Sequence, residues 1–184
     1  MSLKMITGLK GAGKTAYMTK LLHDSWKAGR KVRANYKLEF PFEPIDLEFL
    51  LTNPHELYDM SIGIDEAQTY FDCRLSQTKK NRIFSYLMLQ SRKRHVDIFF
   101  TSQQASNVDI RIRKNIDFLY ECTAMVSTSQ GLKRANIADI EAKKITRIMI
   151  VEFNFEAEEK RKFIFNPKEI YKLYDSDEFI NITI

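Results

Sequence analysis

The chain has 184 residues, 44% of them hydrophobic and 29% charged, with a formal net charge of +5. That length and balance suit one globular domain, residues 1–184, with a real hydrophobic core, and they exclude a disordered or low-complexity chain. No apolar run reaches the roughly 18 residues of a membrane-spanning helix, and MSLKMITG runs straight into a first strand without a signal-peptide pattern. A soluble, cytoplasmic protein is expected.

The positive balance is compatible with a polyanionic partner without requiring one. Cys73 and Cys122 stand far apart with no companion at metal-ligand spacing, so both are read as reduced thiols outside the chemistry.

Along the chain, Leu3–Thr7 predicts a short buried strand leading into the stretch GLKGAGKT, Gly8 to Thr15. From Lys14 to Ala28, the apolar residues Tyr17, Met18, Leu21, Leu22 and Trp26 recur at helical spacing, and Gly29 can end the helix. Lys31–Tyr36 predicts a second strand, and residues 37–53 a loop with a short helix. Met60–Asp65 predicts another strand, Asn81–Arg94 a helix, and Val96–Ser102 (VDIFFTS) a strongly apolar buried strand. Asp117–Thr123 reads as a further strand, Ala124–Lys144 as a polar stretch with little strand character, and Ile145–Phe155 with Lys160–Phe165 as a hairpin. Asn166-Pro167-Lys168-Glu169 carries a cap, a proline and a glutamate at the spacing that opens a helix. Strands alternating with helices predict an α/β domain with a mostly parallel central sheet flanked by helices, followed by the C-terminal hairpin and helix.

The glycine stretch carries the chemistry. A phosphate needs several N–H donors converging on it, and Gly8, Gly11 and Gly13 remove Cβ atoms where the backbone must wrap around its oxygens. The helix that starts near Lys14 aims its unsatisfied N–H groups at the same anion. The spacing is G-x-x-x-x-G-K-T in full, after a strand and before a helix, so Gly8, Leu9, Lys10, Gly11, Ala12, Gly13, Lys14 and Thr15 form a P-loop for ATP. Lys14 serves the β- and γ-phosphates, and the Thr15 hydroxyl suits Mg²⁺. MSIGIDEAQ then ends a strand in Asp65, a second oxygen donor for Mg²⁺, and Glu66, which can polarise an attacking water. VDIFFTSQQ ends in Ser102, Gln103 and Gln104; carboxyl ends of such strands gather catalytic groups, and Gln103 can sense the γ-phosphate.

The order GLKGAGKT, IDEAQ and SRKRHVDIFFTSQ resembles the FtsK/HerA superfamily of DNA-translocating P-loop ATPases. Within it, the chain resembles both the zonula occludens toxin-like assembly ATPases of filamentous phages and the genome-packaging ATPases of membrane-containing icosahedral viruses. The resemblance spans about residues 1–123, and LYDSDE, Leu173–Glu178, is similar to a tail motif of the toxin-like group. It implies a P-loop NTPase of RecA/ASCE type, a ring oligomer, expected as a hexamer, and ATP-driven DNA translocation, with packaging of a viral genome into a preformed capsid as the leading reading. It also implies an arginine supplied to a neighbour's γ-phosphate, for which Arg92 stands at the family position and Arg94, Arg111 and Arg113 are alternates. A capsid or membrane protein of the virion is the implied partner, and the host cytoplasm or the virion the implied place.

Three basic clusters are candidates for a non-specific grip on DNA: Lys79, Lys80 and Arg82; Arg92, Lys93 and Arg94; and Gly131–Lys144. The Ala124–Lys144 loop is the expected pore element. Two other classes compete with the motor. One is a small-molecule P-loop kinase, against which a glutamate directly after the metal aspartate argues, since it favours water as acceptor. The other is a nucleotide-dependent scaffold with little turnover.

Overall fold

A computed structural model describes residues 2–67 and 92–175. Its strands are β1 (Leu3–Thr7), β2 (Lys31–Ala34), β3 (Glu43–Pro44), β4 (Met60–Ile64), β5 (Asp97–Ser102), β6 (Phe118–Thr128), β7 (Gly131–Arg134), β8 (Arg147–Asn154) and β9 (Glu159–Phe165). They form one sheet in the order β3-β2-β4-β5-β1-β6-β8-β9, with β7 paired to β6. The run from β3 to β6 is parallel, whereas β7, β8 and β9 add antiparallel strands. Hence β5, not β4, lies beside β1, and β4, which leads into Asp65, is one strand removed from the P-loop strand.

Period-two alternation assigns neighbours in β1 to opposite layers. Met5 packs with Ile62, Phe100 and Ile112 on one face of the sheet. Ile6 packs with Met18, Leu22, Ile148, Ile150 and Phe165 on the other, beneath helix α1 (Lys14–Lys27). The apolar spacing read from the sequence gives the buried stripe Tyr17, Met18 and Leu22, and Leu21 and Trp26 pack at its margin. Helix α1 ends as expected, with Gly29 at φ 86° and its N–H donating to Trp26 O at 2.9 Å. Residues 37–53 hold the short helix α2 (Leu47–Thr52), capped by the Asp46 side chain.

Two expectations are corrected. The polar stretch Ala124–Lys144 is folded: β6 runs on to Thr128, turns into β7, and a short helix, Ile137–Glu141, follows. Ala124 and Val126 continue the buried alternation of Tyr120 and Cys122, while β7 is exposed throughout and is held by its main-chain ladder to β6. A reciprocal capping box between Asn136 and Asp139 starts the short helix. The second correction concerns the C-terminal helix, of which only one turn, Ile170–Lys172, forms within the described residues. Asn166 and Pro167 do start it, with Tyr171 N donating to Pro167 O at 3.0 Å. Tertiary pairing then pulls the chain away: Glu39 N donates to Leu173 O at 2.9 Å, and Tyr174 forms a bridge with Leu38.

The helix expected over Asn81–Arg94 lies outside the described residues apart from the turn Arg92–Arg94. Cys73 and the cluster Lys79, Lys80 and Arg82 also lie outside them, as does the end of LYDSDE.

Candidate nucleotide-binding site

The sheet register builds the site. Thr7, the last residue of β1, lies opposite Ser102 of β5 and Glu121 of β6, so the carboxyl ends of neighbouring parallel strands converge where Gly8–Gly13 begins. Gly8 has φ 151°, and a Cβ there would stand 2.6 Å from the Cys122 carbonyl oxygen, so no larger residue fits without moving β6. Gly11 has φ 74°, and a Cβ on it would meet Ile140 Cγ2 at 2.3 Å; the short helix Ile137–Glu141 therefore lies directly against the loop. Gly13 precedes α1 as its N-cap without a side-chain cap, which leaves the first-turn N–H groups to an anion.

Lys14 is buried, and its Nζ donates to Leu9 O at 3.3 Å, folded back along the loop. Thr15 Oγ1 donates to Asp65 Oδ2 at 2.9 Å. The other carboxylate oxygen, Oδ1, accepts from Thr101 Oγ1 of β5. Asn35 clamps the backbone of the same residue, taking the Asp65 N–H at 2.7 Å and donating to its carbonyl at 3.0 Å. Burial pushes the Asp65 carboxyl above the usual carboxylate range, while the hydroxyls of Thr101 and Thr15 pull it back. A buried carboxylate held by two hydroxyls is a group from which a cation would relieve a desolvation cost. Hydroxyl and carboxylate oxygens are the donors Mg²⁺ takes, so Thr15 and Asp65 fit the ion and are the residues that would hold it.

Glu66 adopts a left-handed backbone, φ 52°, and its N–H donates to Thr101 Oγ1 at 2.9 Å. That turn brings it to a cavity of about 500 Å³ that Lys14 and Thr15 also line. Lys14, Thr15, Asp65 and Glu66 are thus brought together. Gln103 is exposed and lines a second cavity of about 320 Å³, on the side of the loop formed by Gly8 and Leu9, with Ile140 lining both.

The arginines sit elsewhere. The turn Arg92–Arg94 precedes β5 and therefore stands at the amino edge of the parallel strands, opposite the loop of its own chain. Arg111 Nε and Nη2 donate to Asp109 at 3.0 and 2.6 Å, and Arg113 Nε donates to Val108 O at 2.9 Å.

Sequence reasoning missed Thr101 and Asn35, which hold Asp65, and Ile140, Lys143, Tyr171 and Tyr174, which complete the larger cavity. The Asn136–Asp139 spacing was the one available signal for the helix that carries Ile140. The rest depend on long-range pairing.

Residues 49–178 match the family described as Zonular occludens toxin (Zot). The chain belongs to the Zot family. The matched stretch takes in Asp65, Glu66 and Gln103, and the P-loop precedes it. No curated protein matches the chain. Among solved structures, the N-terminal domain of zonular occludens toxin from Neisseria meningitidis is similar at 20% identity and a TM-score of 0.62, covering 95% of this chain and 98% of that one. The genome packaging NTPase B204 from Sulfolobus turreted icosahedral virus 2, in complex with ATP-gammaS, is similar at 11% identity and a TM-score of 0.57, covering 90% and 97%. The flagellar accessory protein FlaH from Methanocaldococcus jannaschii is similar at 10% identity and a TM-score of 0.59, covering 90% and 84%. The Zot-family chain therefore has the α/β P-loop NTPase fold. No helix among its described residues is long and apolar enough to cross a membrane.

Proposed function

We propose that this Zot-family chain binds ATP with Mg²⁺ and cleaves its γ-phosphate with water, and that turnover drives DNA through a ring of subunits, expected as a hexamer. The observation that carries the reading is the 2.9 Å contact between Thr15 of the P-loop helix and Asp65 beyond β4, beside Lys14 and Glu66. Backbone N–H groups from Gly8 to Thr15 hold the phosphates, and Lys14 exchanges its bond to Leu9 O for a phosphate oxygen. Mg²⁺, when bound, neutralises charge that grows on the transferred phosphoryl group. Glu66 orients and polarises the attacking water, and Gln103 at the adjacent strand end senses the γ-phosphate. Arg92, in the turn before β5 at the amino edge of the parallel strands, is the arginine given to a neighbour, with Arg94, Arg111 and Arg113 as the alternates.

The net charge of +5 and the exposed basic residues Lys133 and Arg134 of β7 support a backbone grip on DNA. Packaging of a viral genome against a capsid or membrane protein, in the host cytoplasm or virion, is the leading use. A second use of the same site is phage assembly and secretion, which the resemblance of GLKGAGKT, IDEAQ and SRKRHVDIFFTSQ to the toxin-like assembly ATPases implies.

Phosphate release by the full chain, measured with and without double-stranded DNA, tests the reading. Stimulation by DNA and loss of ATP binding in Lys14→Ala are expected. Turnover only with an added nucleoside or sugar acceptor would replace the motor with a kinase.

A further inference from the structure

The larger cavity extends beyond anything a phosphate needs. Away from Lys14, Thr15 and Glu66 it is walled by Ile140, Lys143, Ile145, Tyr171 and Tyr174, all from the last third of the chain. A volume of about 500 Å³ is that of a small-ligand pocket, far larger than a triphosphate tail.

The aromatic wall is fixed in place. Tyr174 is buried, bridges to Leu38 and packs edge-on against Tyr36 with ring centroids 6.3 Å apart. Tyr171 sits in the single turn tied to Pro167 O, its ring centroid 6.4 Å from that of Tyr174. Yet Tyr171 is 42% exposed and lines the cavity, in a turn whose neighbours Ile170 and Leu173 pack inward. Lys143 holds a left-handed backbone, φ 53°, where helices more often place glycine. Glu66 is left-handed as well, so two strained non-glycine residues face one cavity, as functional sites tend to show.

We infer that Tyr171, Tyr174, Ile145 and Ile140 form the subsite for the nucleoside, with the base stacked on Tyr171 and the triphosphate running back to Lys14. The ligand class is a nucleoside triphosphate. The inference rests on the nucleotide reading above and adds to it where the base lies. Away from the P-loop and Glu66, the lining residues Ile140, Lys143, Ile145, Tyr171 and Tyr174 present aliphatic carbons, phenol rings and one ammonium. Stacking of this kind tolerates either purine. The subsite is walled by the turn after β9 and by the segment after β7.

Equilibrium titrations of the full chain with Mg²⁺, using ATP, GTP and inorganic tripolyphosphate, test this. Tyr171→Ala is expected to weaken ATP at least about fivefold and to leave tripolyphosphate within about twofold. Tyr171→Phe should keep ATP affinity near that of the unmodified chain, and GTP should bind within about tenfold of ATP. Tyr171→Leu, which keeps apolar bulk and removes the ring, gives the same comparison should the alanine variant unfold. Unchanged ATP affinity without the ring, or equal losses for ATP and tripolyphosphate, overturns the subsite. If the unmodified chain binds tripolyphosphate as tightly as ATP, the subsite falls while the phosphate cradle stands. If it binds neither, the nucleotide reading falls with it.

Discussion

Thr15 and Asp65 lie fifty positions apart in the chain and meet at 2.9 Å, hydroxyl to carboxylate, across the end of a strand that belongs to neither. That intervening strand, β5, supplies Thr101, which bonds both Asp65 and the Glu66 N–H. Three elements therefore set one carboxylate, and its role can be tested apart from turnover. Asp65→Asn keeps the volume and one acceptor oxygen, so the fold should hold. The part of ATP affinity that depends on Mg²⁺ should fall at least about tenfold, while binding measured in a chelator is unchanged. Equal loss with and without the metal would remove Asp65 from metal binding.

Glu66 stands beside that carboxylate with its own backbone strained. Glu66→Gln keeps the shape and removes the base. ATP should bind as before and turnover should fall by roughly 10²–10⁴-fold, read by single-turnover phosphate release. Near-normal turnover in the glutamine variant would take Glu66 out of the mechanism.

Gly8→Ala is expected to destabilise the whole fold as well as the loop. Its Cβ would collide with a main-chain oxygen of β6, 2.6 Å away, at φ 151°. A carbonyl in the sheet ladder cannot rotate aside, so the cost should be about 2 kcal/mol, measured as a shift of the denaturation midpoint. A midpoint equal to that of the unmodified chain would show that β6 gives way.

Asp109, the N-cap of the short helix Ile110–Arg113, provides a pH-dependent contribution. The hydrogen bonds from Arg111 hold its carboxyl below the usual carboxylate range. A group whose pKa is lower folded than unfolded contributes stability that is present above the unfolded value, near pH 4, and is lost as pH falls toward the folded one. Urea midpoints should therefore drop on acidification below about pH 4, and Asp109→Asn should flatten that part of the profile. An identical acid profile in the asparagine variant would show that Arg111 does not set it.

The local features were legible where spacing alone decides them. A glycine pattern between a short apolar run and a helical one has few other foldings, so β1, the P-loop and α1 could be placed from residues 3–28. The apolar run VDIFFTS likewise marked β5. The polar stretch after residue 124 misled because β7 buries nothing; its partner strand holds it through main-chain bonds, which leave no trace in side-chain chemistry. The last helix misled in the opposite way. Its cap signals are present, but pairing of Tyr174 with Leu38 draws the chain off after one turn.

The amino-acid order by itself marked Gly8, Lys14, Thr15, Asp65 and Glu66 as candidates for a phosphate and a cation, because each sits at a strand or helix end whose chemistry is local. Only the tertiary structure decided what surrounds them. Thr101 and Asn35 reach Asp65, and Ile140, Lys143 and Tyr171 reach the cavity, through sheet order and long-range contacts that no short-range periodicity encodes. Register and crossover follow from the summed burial of both faces of the sheet, a property of the whole chain.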